Sequence, residues 1–371
     1  MRVDFLQFEL AKELAEKYGT PLLVLSKSKL TANYRGLKQS MPSVEPFYAV
    51  KANDNIDILR MINELGGSFD VASVGEFELV KGVGVDNRRI LYTHPIKTEE
   101  DIRYFFEQGL TLFVFDNEDE LHKIKRNAPG ASVLLRIAVS NPFCMVNLNY
   151  KFGADPQSAE ELLDKATALG LRVSGISFHV GSQSLNPYVY VESIVICKRI
   201  YDFMALKGVK MRLLDIGGGF PIQYIENVMP IQKFCEPIND ALNNYFSDTT
   251  ILAEPGRVIS GDAVVLVTKV VGKSYRNNAQ WYYIDDGLYN SFSGKVYDHA
   301  NYRIVSERKD GMMRCVLAGP TCDSFDVISN DVILPELEVG DMLLAPSMGA
   351  YTNASATAFN RLEKAHTITI D

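Results

Sequence analysis

Lys51 closes a short apolar run, Pro46-Phe47-Tyr48-Ala49-Val50-Lys51-Ala52-Asn53. Aromatic and β-branched residues in such a run read as a buried strand. A lysine at its end sets an amine where apolar surroundings favour loss of the proton, and a neutral amine forms Schiff bases. Alone, the segment favours the plainer reading of a lysine snorkelling from a strand end. Other segments reverse that balance. Asp70 ends a second apolar run, with Glu76 opening the stretch that follows, and Arg136 sits inside a third. Three further runs end in His179-Val180-Gly181-Ser182, Asp215-Ile216-Gly217-Gly218-Gly219-Phe220 and Glu254-Pro255-Gly256-Arg257. Three successive glycines let backbone N–H groups approach an anion, and a phosphate there would also meet the positive end of the next helix. Ser182 and Arg257 offer further anion contacts. Glu254 either pairs with Arg257 or keeps a heterocyclic nitrogen protonated. His179 is either a satisfied core histidine or a flat ring laid against a ligand ring.

These groups need a scaffold that gathers strand ends. Apolar runs at Pro46–Val50, Phe69–Ala72, Ile90–Tyr92, Leu112–Phe115, Val133–Val139, Val173–Val180, Leu213–Ile216 and Ile251–Ala253 alternate with amphipathic stretches such as Ile56–Leu65, Glu76–Val83, Glu99–Gln108, Ser158–Leu169 and Tyr190–Lys207. Strict alternation with eight strands predicts a parallel (β/α)8 barrel, an α/β fold whose chemistry collects at the C-terminal strand ends. Beyond Arg257 the pattern changes to strand-like runs at Ala263–Val271, Trp281–Ile284, Arg314–Ala318 and Met342–Pro346, separated by Gly, Asn and Asp turns. This predicts a mostly antiparallel β domain. A helix is expected over Asp4–Tyr18 and a strand over Pro21–Ser26, the latter joining the β domain. The expected division is therefore a barrel over 27–257 and a β domain from 1–26 and 258–371.

Composition narrows the function classes. The chain has 371 residues, 47% hydrophobic and 23% charged, as in an ordinary globular protein. A net charge of −8 argues against a nucleic-acid partner. No apolar stretch approaches the roughly 18 residues of a membrane span, so no membrane partner is expected. The N-terminus shows no signal-peptide pattern. Five cysteines, none in a CxxC spacing, read as reduced thiols of a cytoplasmic chain. Five scattered histidines without a Cys/His cluster predict no metal site.

A phosphate cradle, a Schiff-base lysine, a ring-facing histidine and a nitrogen-facing carboxylate together describe pyridoxal 5′-phosphate. The motifs around Lys51, Phe69-Asp70-Val71-Ala72-Ser73, the His179 run, the Gly217–Phe220 run and Glu254-Pro255-Gly256-Arg257 occur in the order found in the fold-type III pyridoxal-phosphate decarboxylases. The chain resembles that ornithine/diaminopimelate decarboxylase family over nearly its whole length. Tyr297-Asp298-His299-Ala300, Gly319-Pro320-Thr321-Cys322-Asp323 and Met348-Gly349-Ala350-Tyr351-Thr352 resemble its ornithine branch, and Ile137–Phe152 resembles the bacterial lysine/ornithine enzymes.

The resemblance implies decarboxylation of L-ornithine or L-lysine to putrescine or cadaverine in a homodimer with shared active sites. It implies that Lys51, Asp70, Glu76, Arg136, His179, Ser182, Gly217, Gly218, Gly219, Glu254, Gly256, Arg257 and Tyr351 bind the cofactor. Asp298 and Asp323 would take the distal ammonium, with Tyr297, Tyr351 and Phe359 lining the pocket and Cys322 donating a proton to Cα. Two carboxylates select a cation and disfavour a substrate with a terminal acid. Two departures stand out: Ser324 follows Asp323, and Arg361 follows Asn360, where the family often has glycine. An arginine or diaminopimelate decarboxylase, a racemase and a non-catalytic regulator remain alternatives on the same scaffold.

Overall fold

The computed structural model describes residues 1–371. The chain divides into two compact units, one of Asn33–Pro221 with Val228–Val258 and one of Met1–Ala32, Ile222–Asn227 and Ile259–Asp371. The first is a closed barrel of eight parallel strands: β1 (Val44–Ala49), β2 (Ser68–Val71), β3 (Ile90–Tyr92), β4 (Leu112–Phe115), β5 (Ser132–Ile137), β6 (Arg172–Phe178), β7 (Leu213–Asp215) and β8 (Thr250–Ala253). Closure comes from β8 pairing with β1, Ile251 opposite Val44. The (β/α)8 expectation holds, and its strand limits fall within two residues of those observed.

Each early βα turn is built by a side chain that caps the next helix. Asn55 accepts from the Asp57 N–H, Ser73 from Glu76, Thr98 from Asp101 and Asn117 from Glu120. Such caps satisfy donors that the first helical turn leaves unpaired. The strand carrying Lys51 ends at Ala49, and Lys51 lies on a single 3-10 turn, Val50–Ala52. No helix starts at the glycine triplet. The next one, Ile231–Tyr245, begins well beyond it, so the expected helix dipole does not face that loop.

The second unit is a mostly antiparallel sheet built on the long strand Val264–Arg276, which pairs with Ala279–Ile284, Met342–Ala345 and Leu22–Ser26. Two pairings are parallel, Ala279–Ile284 with Met313–Ala318 and Leu22–Ser26 with the C-terminal strand His366–Ile370. The N-terminal helix starts later than expected, at Phe8. Arg2–Val3 and Leu6–Gln7 form a small hairpin ahead of it, with Asp4 left-handed at its turn (φ 55°). Val3, Leu6, Phe8 and Ala11 then bury against Leu22, Val24, Val265 and Leu344.

Lys97 fixes the β3 end of the barrel. Its fully buried amine donates to the carbonyls of His94, Pro95 and Val114 and pairs with Glu120 at 2.7 Å. Burial pushes the Lys97 pKa down to about 8, against the pull of Glu120. Removing one partner of such a pair strands the other charge in a dry interior. Glu120→Ala should therefore lower stability by about 3–5 kcal/mol, read as a fall in the urea midpoint. A midpoint within error of the wild type would show that the pair does not hold this loop.

Candidate active site

The polar strand ends converge at one mouth of the barrel. Lys51 donates to Asp70 Oδ2 at 3.1 Å, and Thr93 donates to Asp70 Oδ1 at 2.6 Å. The Lys51 side chain is 39% exposed while Asp70 is 1% exposed, so the amine opens outward and its counter-ion stays dry. Burial raises the Asp70 pKa to about 7, with Glu254 adding to the rise and Lys51 and Thr93 opposing it. The Lys51 amine thus faces a buried carboxyl and solvent rather than the purely apolar surroundings expected of a buried strand end.

Glu254 is buried. Burial works to raise its pKa and is outweighed by Lys51, Asp215, His179 and Arg136, so it stays ionised with a lowered pKa. Arg257 donates to Ser182 Oγ at 2.5 Å. The group beside Glu254 that the sequence reading left without a role is Asp215. It is fully buried, its Oδ1 accepts the Gly217 N–H at 2.9 Å, and its pKa is pushed well above the usual range by burial and then by Glu254. Two adjacent buried carboxyls cannot both ionise, so Asp215 keeps the proton and Glu254 the charge. An aspartate two residues before a Gly triplet was the only sequence signal for it.

The His179 Nδ1 accepts the Gly181 N–H at 3.0 Å, which places the ring proton on Nε2. Burial, followed by the Arg136 charge, lowers the His179 pKa to about 3. Arg136 Nε and Nη2 are buried without a hydrogen-bond partner, and its guanidinium lies 5.3 Å from the Phe152 ring centre. Glu76 accepts the Ala72 N–H at 2.7 Å and so closes the turn below Asp70.

The glycine triplet is enforced by close walls. A Cβ on Gly217 would lie 2.4 Å from Phe178 O, on Gly218 2.5 Å from Glu254 O, and on Gly219 2.4 Å from Gly181 O. The three carbonyls are taken by the Glu254 N–H, the Tyr190 hydroxyl and the Ser184 N–H. Gly256 is equally tight, since a Cβ there would meet Ala52 at 2.6 Å. A glycine loop packed against Gly181, next to the hydrogen-bonded Ser182 and Arg257, fits a phosphate. The dry Glu254 and neutral His179 fit a protonated heterocycle, so the residues present match pyridoxal phosphate.

The other predicted residues lie in the β unit. Asp298 is buried at the end of the short helix Gly294–Tyr297, its N–H donating to Gly294 O at 3.0 Å, while Tyr297 is exposed. Tyr351 is left-handed (φ 55°), and its carbonyl lies 2.8 Å from where a Gly294 Cβ would stand. Asp323 accepts the hydroxyl of Tyr289, whose ring stacks on Phe359 at 4.4 Å. Sequence reasoning missed Tyr289, which carried no motif of its own. Asp326 shapes the loop before Asp323 by accepting from Leu288 N–H, Thr321 N–H and the Thr321 hydroxyl. Ser324 is not left-handed, so a side chain there costs no backbone strain; Arg361 is left-handed (φ 56°), where glycine would sit more easily. Cys322 is exposed, whereas Cys197, Cys235 and Cys315 are buried.

With this geometry in place, the family follows. Residues 27–261 match the model described as pyridoxal-dependent decarboxylase, pyridoxal binding domain. The chain belongs to this family and is a pyridoxal-phosphate-dependent decarboxylase. It is 40% identical over 358 residues to a lysine/ornithine decarboxylase of Selenomonas ruminantium, covering 96% of this chain and 91% of that one. A lysine/ornithine decarboxylase of Vibrio vulnificus, solved with putrescine, superposes with a TM-score of 0.92 at 41% identity, covering 98% of both chains. Antizyme inhibitor 2 of Xenopus laevis is 39% identical over 345 residues, 88% of this chain and 75% of that one. No helix is long and apolar enough to cross a membrane.

The His179 geometry sets an expected outcome. In nitrogen-correlated NMR of the apoprotein, the His179 ring should show the neutral Nε2–H tautomer without change from pH 5 to 9. The folded pKa of about 3 lies below the ordinary 6.5. Protons therefore favour the unfolded chain between those values, and stability from this group is lost as pH falls through that window. A ring that titrates near neutrality would overturn the assignment.

Proposed function

We propose that this enzyme decarboxylates L-ornithine and L-lysine to putrescine and cadaverine. The observation that carries this reading is the pair of carboxylates in the β unit, Asp298 buried behind a helix end and Asp323 held by Tyr289. Fixed carboxylates attract a distal ammonium and repel the extra carboxylate of diaminopimelate. Similarity to the Vibrio vulnificus enzyme solved with putrescine supports it.

Bound pyridoxal phosphate supplies the sink for the electron pair released as the α-carboxylate leaves. Lys51 would attach it covalently and hand it to the substrate amine, with Asp70 taking and returning the amine proton. Gly217, Gly218, Gly219, Ser182, Gly256 and Arg257 would cradle the phosphate, with Tyr351 beside it. His179 would lie along one face of the ring. Glu254 would accept the ring N–H, kept ionised because Asp215 holds the neighbouring proton. Glu76 and Arg136 would brace this face. Asp298 and Asp323 would bind the distal ammonium between Tyr297 and Phe359. Cys322 of the partner subunit would deliver the proton to Cα. The exposure of Cys322, Tyr297, Phe325 and Phe359 suits a twofold interface that completes each site. A cytoplasmic setting suits its free thiols.

Carbon dioxide release from ornithine, lysine, arginine and diaminopimelate under matched conditions tests the substrate class. Ornithine and lysine should lead, and Asp298→Ala should lower their kcat/KM about 100-fold with little change in cofactor affinity. Preference for diaminopimelate or arginine would replace the reading, and no release from any of the four would leave a binding protein.

The shared site has its own test. Lys51→Ala and Cys322→Ala should each be nearly inactive in diamine formation. After subunit exchange, half of the dimers are mixed and each carries one intact site, so activity should return to about a quarter of wild type. Demonstrated exchange without recovery would place both residues in one chain's site.

A further inference from the structure

Cys322 does not stand alone on its loop. The side chain of Asn360 meets it twice: Asn360 Oδ1 accepts the Cys322 backbone N–H at 3.1 Å, and Asn360 Nδ2 donates to Cys322 Sγ at 3.3 Å. The first bond fixes the amide orientation, because only its oxygen can accept a backbone N–H. The NH2 group must then face the sulfur. Asn360 holds this pose from a left-handed backbone (φ 52°, ψ 14°), a conformation that asparagine tolerates better than most residues. Its turn is anchored on both sides. The Thr357 N–H donates to Tyr289 O at 2.8 Å, Phe359 stacks on Tyr289, and Asn290 Nδ2 donates to Glu363 O at 2.9 Å. Tyr289 also holds Asp323, the residue next to Cys322. One framework therefore sets both the sulfur and the carboxylate beside it.

We propose that Asn360 is a positioning residue for Cys322, aiming its thiol and donating a hydrogen bond to the sulfur as the proton leaves. This rests on the reading of Cys322 as the proton source. In that step the S–H bond breaks and a Cα–H bond forms with the electron pair left by departing carbon dioxide. Sulfur keeps the S–H pair as a thiolate, which a solvent proton later restores. An N–H donor stabilises the charged sulfur more than the neutral thiol, because hydrogen bonds to ions are the stronger ones. Asn360 would thus favour protonation at Cα over misplacement of the proton on the cofactor.

Asn360→Asp separates aim from donation. Aspartate tolerates the same backbone and still accepts the Cys322 N–H, but it presents oxygen, not NH2, to the sulfur. Iodoacetamide alkylation of Cys322, followed on apoprotein and holoenzyme with Cys322→Ala as background, should slow about tenfold. The fraction of turnovers ending in aldehyde and pyridoxamine phosphate should rise, as it should for Cys322→Ala. Asn360→Gly, which suits a positive φ, should shift products the same way and guards against a folding artefact. If Cys322→Ala misplaces the proton while Asn360→Asp keeps wild-type alkylation and products, the role of Asn360 is overturned and that of Cys322 stands. If Cys322→Ala itself yields only diamine at the normal rate, the underlying reading falls, and this proposal with it.

Discussion

Three carboxyl groups in one dry barrel mouth are the constraint on which the site depends. Asp70, Asp215 and Glu254 are all buried, and an uncompensated carboxylate is not tolerated there. The fold answers with one nearby amine, a threonine hydroxyl, a glycine N–H and a sharing of protons. Lys51 and its neighbours hold Glu254 ionised, Asp215 keeps a proton, and Asp70 moves up towards neutrality. Driving like groups apart in pKa is how a fold separates acid from base among carboxyls of one kind.

Strand register makes this sorting possible. Asp215 of β7 lies opposite Leu252 of β8, so Glu254, just past the strand end, emerges beside the loop that follows Asp215. The Glu254 N–H donates to Gly217 O, which ties the carboxylate to the glycine triplet. The triplet in turn has no room for side chains, because its walls are the backbones of the β6 end, of Gly181 beyond it and of the Glu254 turn. Glycine loop and carboxylates are thus one packed unit. The buried Lys97–Glu120 pair braces the loop that carries Thr93, and through Thr93 it reaches Asp70.

Much of this was legible in the sequence, for a physical reason. Parallel strands buried on both faces read as continuous apolar runs, and a polar residue at such an end stands out. The eight barrel strands and Lys51, Asp70, His179 and Glu254 were visible in this way. What stayed hidden depends on contacts between distant positions. Asp215 acts through Glu254, 39 residues away, and Asn360 acts through Cys322, 38 residues away. The strand Val327–Leu334 was missed because Ser329-Asn330-Asp331 interrupts its apolar pattern where the ladder shifts register. The N-terminal hairpin has two-residue strands, too short to show a period.

The two sets of predicted residues also differ in what their surroundings must do. The buried carboxyls and His179 sit in the barrel, where burial and fixed neighbours move their pKa values. Residues assigned to the substrate's distal end sit on turns of the β unit, several with left-handed backbone: His299 after Asp298, Tyr351, and Asn360 after Phe359. Choosing between substrates that differ by one methylene involves only about 1–3 kcal/mol, an amount that small displacements of such turns can supply or remove.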